Sequence, residues 1–220
     1  MNKIRFVEGV PGVGKTSFIH GYVNAQNPDN YIRIVKSDDV VPLNMVRREV
    51  INGRSLSLQQ AREIYASKPY CVYLNEHLEI WQRFCEENNS CDNDIIVDGG
   101  LFQAPLYDLM GLYMMDNKNI LIHIQRILDL IRDYFSFELV YIRAEHPSLC
   151  IRSAIENQWE QRSQWYQGFC RWLEVAPYPV SKGYSGLSGI EKYIEDRYRT
   201  DCCLLENLDI PIIVYNREEL

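Results

Sequence analysis

Residues Gly9-Val10-Pro11-Gly12-Val13-Gly14-Lys15-Thr16 fit the spacing Gly-x-x-x-x-Gly-Lys-Ser/Thr at every fixed position. That spacing suits a phosphate. Glycines adopt dihedrals that a Cβ forbids, so successive backbone N–H groups can converge on phosphate oxygens. A helix starting at Lys15 would add the positive end of its dipole. Lys15 would reach the terminal phosphates, and the Thr16 hydroxyl would ligate Mg²⁺. Gly9, Pro11, Gly12, Val13, Gly14 and Ser17 complete the expected cradle. At common residue frequencies a chance match in a chain this long arises about 1 time in 100.

Phosphoryl transfer needs further parts: an acid near the metal or the acceptor hydroxyl, cations for the transferring group, and a lid. Asp98 closes the apolar run Asp94-Ile95-Ile96-Val97-Asp98 and is the leading acid, as base or as a second metal partner. The alternative reading is an Asp-Gly-Gly turn after a strand. Asp38 and Asp39 end another apolar run and rival it as base, against a plain turn. Arg143, Arg152 and Arg162 are the lid cations, able to cover phosphates or stack on a base. Arg47 and Arg48 read either as an acceptor-phosphate clamp or as a solvated face.

These groups need a scaffold that brings them to one edge. Short runs rich in Ile and Val lie at Ile4–Glu8, Tyr31–Lys36, Asp94–Asp98, Phe137–Ile142 and Pro211–Tyr215. They are apolar on both faces, as buried parallel strands are. Helical periodicity fills the intervals: Lys15–Asn24, Ser57–Ser67, Pro69–Glu87, Leu101–Met115, Asn119–Tyr134, Pro147–Trp172 and Ser188–Asn207. Gly168 marks a weak point in the sixth, and Ser188 reads as the cap of the last. Residues 174–186, with two prolines and two glycines, read as loop. Trp165, Phe169 and Trp172 form a helical stripe expected in the core. Glu76, His77, Trp81 and Gln103 read equally as packing residues or as readers of a base. The four histidines show no metal spacing, and no role attaches to them. Alternating strand and helix predicts an α/β fold with a parallel sheet.

Composition narrows the classes. The chain has 220 residues, 46% of them hydrophobic, which suits one domain and excludes disorder as the main state. The formal charge is −7, which disfavours broad nucleic-acid binding. No apolar run is long enough to cross a bilayer, and Met1–Phe6 enters a strand-like run at once, so neither membrane span nor signal peptide is expected. Seven cysteines without a Cys-x-x-Cys pair point to free thiols and a cytoplasmic setting. Asn117-Lys118-Asn119-Ile120 fails the guanine-reading pattern of GTPases at its last position. Leu187-Ser188-Gly189-Ile190-Glu191 echoes the ABC-transporter signature, but no acidic strand end follows it.

What remains resembles the nucleoside and nucleotide kinase branch of P-loop proteins, the deoxynucleoside kinase and thymidylate kinase group. The resemblance is carried by Val7-Glu8-Gly9 leading into Pro11–Thr16, by Tyr141–Arg152 and by Ile210–Tyr215. It implies a three-layer P-loop NTPase fold over residues 1–220, with a five-stranded parallel sheet of order 2-3-1-4-5. A helical lid would span about residues 143–187. It also implies ATP as donor and Mg²⁺ as cofactor. One departure stands out: in those families an arginine follows the acid after the third strand, whereas Gly99-Gly100 follow Asp98 here.

The expected function is therefore ATP-dependent phosphoryl transfer to a small-molecule acceptor, a nucleoside or nucleotide first. The first alternative is a regulatory nucleotide-binding ATPase acting through a protein partner. A polynucleotide 5′-end kinase using Asp38 or Asp39 comes third. A homodimer is left open.

Overall fold

The computed structural model describes residues 3–26, 32–42, 57–90, 93–157 and 159–219. Strand β1 (Lys3–Glu8) leads into helix α1 (Lys15–Asn24), and β2 (Ile32–Lys36) ends in a 3₁₀ turn, Ser37–Asp39. Helices α2 (Leu58–Ser67) and α3 (Tyr70–Asn88) precede β3 (Asp94–Asp98). A short α4 (Gln103–Leu106) runs into a π-helical turn, Tyr107–Leu112. Then come α5 (Asn117–Arg132), β4 (Ser136–Arg143), α6 (Pro147–Asn157), α7 (Trp159–Val175), α8 (Pro177–Ser181), α9 (Gly186–Asn207) and β5 (Ile212–Asn216).

The five strands pair in parallel in the order β2-β3-β1-β4-β5, as the family resemblance implies. Successive residues of β1 show how both faces are covered, since side chains alternate across a strand. Arg5 lies 4.1 Å over the Tyr22 ring of α1. Its neighbour Phe6 points the other way and meets Trp81 of α3 edge-to-face, with ring centroids 5.8 Å apart. Such a pair contributes about 0.5–1.5 kcal/mol beyond its buried area. The sheet is an α/β core of P-loop NTPase type, with the Gly9–Thr16 loop at its C-terminal strand ends.

Four sequence expectations change. The sixth helical stretch does not weaken at Gly168, which lies inside α7; α6 ends at Asn157 and α7 begins at Trp159. Burial of Phe169 and Trp172 holds α7 through the glycine, whose cost inside a helix is only about 1 kcal/mol. The side chain of Trp165 is outside the described residues. Leu101–Met115 is not one α-helix but a single turn plus the π turn. Ser188 is not the cap of the last helix, which starts earlier with Ser185 in the capping position. Part of the expected loop at 174–186 forms α8, with Pro177 in its first turn.

Two of the four histidines, given no role by their spacing, meet in the core. His77 of α3 and His123 of α5 are buried with ring nitrogens 3.1 Å apart, and the Trp81 indole donates to His77 at 3.2 Å. His77 and Trp81 are thus packing residues. Burial pushes the His123 imidazole down to about 4, and His77 well below its usual range through burial and its neighbour His123. Both are neutral in the fold at pH values where the unfolded chain would protonate them. The unfolded state then binds more protons, and stability falls with pH below about 6.5. Urea unfolding between pH 6.5 and 4 should show a loss of up to about 1.4 kcal/mol per pH unit for each buried imidazole. His123→Gln should make that slope shallower than in the wild type.

Candidate active site

The phosphate loop joins β1 to α1 at the C-terminal edge of the sheet. Gly9 has φ 140°, and a Cβ there would stand 2.6 Å from the Ile142 carbonyl oxygen of β4. Gly12 has φ 82°, and its Cβ would stand 2.6 Å from the Cys150 carbonyl oxygen of α6. Neither position accepts another residue without moving backbone. Gly14, in left-handed conformation, starts α1. Thr16 and Ser17 are exposed in the first turn, where a hydroxyl can meet a metal or phosphate. The exposed hydroxyls of Thr16 and Ser17 after the lysine, in the first turn of α1, fit a bound Mg²⁺–nucleotide.

Lys15 is buried, and its Nζ donates to the carbonyls of Gly9 at 2.9 Å and Val10 at 3.1 Å. Burial and the nearby Arg197 charge lower its ammonium to about 8, against the pull of Glu8, Asp98 and Asp201. Glu8 precedes the loop and has no exposed surface. Its two carboxylate oxygens accept from the backbone N–H groups of Leu101 at 2.7 Å and Gln103 at 2.9 Å. Burial raises its carboxyl to about 7 despite these bonds. Glu8 therefore ties the phosphate loop to the loop after β3, which carries the Asp98-Gly99-Gly100 turn.

Asp98 ends β3 beside β1, in register with Val7 on one side and Lys36 on the other. Its Oδ2 lies 2.7 Å from the Lys36 ammonium. Asp38 and Asp39 sit in the 3₁₀ turn after β2, on the same sheet edge. The expected lid divides. Arg143 ends β4 and is exposed. Arg152 of α6 donates its Nε to Glu191 of α9 at 2.6 Å, so the structure ties it to α9. The side chain of Arg162 and all of Arg47 and Arg48 are outside the described residues. Among the described residues, no group of three or more His, Cys, Asp or Glu could hold a metal on its own, and no helix is long and apolar enough to cross a membrane.

On the α1 side the loop opens into a pocket of about 480 Å³. Val13, Gly14, Ser17, Phe18, Tyr22 and Tyr215 contribute to its walls, with Arg217 at its rim. Phe18 and Tyr215 have ring centroids 5.2 Å apart. A flat base beside such rings would continue directly from phosphates in the loop.

Two site residues carry no signal in the sequence. Arg197 and Asp201, one helical turn apart on α9, are completely buried near Lys15. Arg197 sits in the charged stretch Glu195-Asp196-Arg197-Tyr198-Arg199, which reads as a solvated face, and Asp201 follows it. Only their spacing of four could have marked them.

No protein-family profile matches the chain, and no curated protein does. A structural match exists to a chain from the molecular and structural characterization of the PezAT chromosomal toxin-antitoxin system of the human pathogen Streptococcus pneumoniae. It shares 15% identity over 100% of this chain and 70% of that one, with a TM-score of 0.42. The P-loop assignment itself rests on strand order and loop geometry.

Glu8→Gln places an amide N–H₂ against a backbone N–H in a dry site. It should cost about 1–3 kcal/mol of stability, read by denaturant unfolding. Gly12→Ala should lower the melting temperature and weaken binding of a fluorescent ATP analogue together, because its Cβ meets backbone of α6.

Proposed function

We propose that this protein is an ATP- and Mg²⁺-dependent phosphotransferase acting on a small-molecule acceptor, with nucleosides and nucleotides the first class to test. The observation that carries the reading is continuity. A glycine-gated phosphate loop with a buried lysine runs straight into a pocket of about 480 Å³ that suits a nucleoside.

Each residue then has a task. Lys15 exchanges its two carbonyl partners for phosphate oxygens and neutralises charge there. Thr16 would hold the metal, and bound Mg²⁺ would offset charge on the transferring group. Asp98, on the neighbouring strand, accepts the acceptor's hydroxyl proton or supports the metal once Lys36 releases it. Glu8 keeps the two loops at a fixed separation. Arg143, Arg152 and Arg162 remain the lid cations, and Asp38 the alternative base.

The ion pairs of Asp98 with Lys36 and Arg152 with Glu191 favour a second reading. Resting groups held away from the phosphates suit a slow regulatory ATPase acting through a protein partner.

The deciding measurement is ADP release with Mg-ATP against a panel of nucleosides, nucleoside monophosphates, sugars and aminoglycoside-like alcohols. Strong stimulation by one member, lost in Lys15→Ala, is the expected result. A flat panel with Lys15-dependent ATP binding would transfer support to the regulatory reading. Asp98→Asn should lower turnover by about 10²–10⁴-fold with ATP affinity retained. Unchanged turnover would move the base to Asp38 or Asp39.

A further inference from the structure

Arg197 has no exposed surface, and none of its three guanidinium nitrogens has a hydrogen-bond partner. Its ion pair with Asp201 spans 3.7 Å, well beyond the roughly 2.7–2.9 Å of a charge-assisted hydrogen bond. Asp201 uses Oδ2 to accept from the Tyr141 hydroxyl at 2.8 Å, while its Oδ1 has no partner. Gln103 also buries an unpartnered Oε1, and its backbone N–H is held by Glu8. Buried polar atoms in folded proteins are paired in roughly nine cases of ten. Here one guanidinium, one carboxylate oxygen and one amide oxygen break that rule in the neighbourhood of Lys15 and Glu8.

A purely structural ion pair would close to a fork-shaped contact, because arginine and carboxylate match in geometry. This one stays open. The guanidinium carbon instead lies 5.5 Å over the centre of the Tyr107 ring, a cation–π contact that leaves its N–H groups for another partner. The surrounding rings of Tyr107, Trp172, Phe169 and Tyr193 pack edge-on or stacked with one another and keep bulk water away. A planar fork of donors in a dry site, beside a phosphate loop, is built for an oxyanion. The turn after β3 offers none, since Gly99-Gly100 follow Asp98 there.

We propose that Arg197 binds the acceptor, and that the acceptor carries a phosphate or a carboxylate. Arg197 donates to that oxyanion, while Asp201 Oδ1 and Gln103 Oε1 accept from hydroxyl or amino groups on the same molecule. This rests on the phosphotransferase reading and specifies its substrate class.

The test uses matched pairs of compounds on the full chain: nucleosides against nucleoside monophosphates, sugars against sugar phosphates, and polyols against hydroxycarboxylates. Two signals are read, the melting temperature in the presence of each compound and its effect on ADP release. The variants are Arg197→Lys, Arg197→Met and, because the Met variant leaves Asp201 buried alone, the double variant R197M/D201N. The expected result is a response confined to anionic members. Their apparent affinity should fall on the order of 10–100-fold in Arg197→Met and in the double variant, with partial recovery in Arg197→Lys and ATP-analogue affinity kept. Whether the phosphate or the carboxylate series responds names the anion.

Stimulation by uncharged members, undiminished in the variants, overturns the proposal and leaves the phosphotransferase reading standing. Melting shifts by anions that depend on Arg197, with no compound stimulating ADP release, uphold the anion site and defeat the phosphotransferase reading. No shift with any anion, or a parallel loss of ATP affinity and stability in both Met variants, makes the pair structural and overturns the proposal.

Discussion

Four charged side chains, two of each sign, are buried at the C-terminal edge of the sheet: Glu8, Lys15, Arg197 and Asp201. An isolated charge there would be very costly, so each must be offset by a neighbour, a hydrogen bond or a bound group. Glu8 and Lys15 meet this demand through backbone. Glu8 takes N–H groups from the loop after β3, and Lys15 gives its protons to the carbonyls of its own loop. The positions of β1, β3, the phosphate loop and α4 follow from that exchange. Arg197 and Asp201 meet it incompletely, and the phosphate-facing side of the fold is where the deficit lies.

The same edge explains why the helices are arranged as they are. β4 and β5 carry the sheet past β1, and α6 and α9 pack over that flank, joined by Arg152 and Glu191. α9 can therefore deliver a cation to Lys15 from the side opposite β3. With Gly99-Gly100 after its third strand, the chain brings its second buried cation near Lys15 from a helix late in the sequence. The π turn after α4 contributes by swinging Tyr107 beneath the Arg197 guanidinium.

The legible parts of the chain are those where local physics fixes residue type. The phosphate loop shows itself because backbone crowding against Ile142 and Cys150 demands glycine at fixed spacing. The strands show themselves because burial on both faces demands unbroken runs of Val and Ile, as in Ile95-Ile96-Val97. Asp98 was placed correctly at a strand end, but its Lys36 partner comes from register with β2, which no local pattern encodes. Arg152 reads as a lid cation in the sequence, but its Glu191 partner comes from the packing of α6 on α9, which no local pattern encodes. Glu8 and the His77–His123 pair are hidden for one shared reason. Their partners lie dozens of residues away, and charge or imidazole in a helix or at a strand end looks the same whether it faces water or the core.

The tightest contact between Gly12 and α6 is made to a main-chain carbonyl, that of Cys150, with the Ala154 methyl one turn further along. Its template is thus more the path of the helix than its composition. Residues along α6 other than Ala154 can be exchanged over evolutionary time while the fit to the phosphate loop persists. An insertion or deletion in its first turn would shift the carbonyl by part of a helical pitch and jam the loop. The length and phase of this segment, together with a small side chain at Ala154, set the clearance of the loop more than the rest of its side chains do.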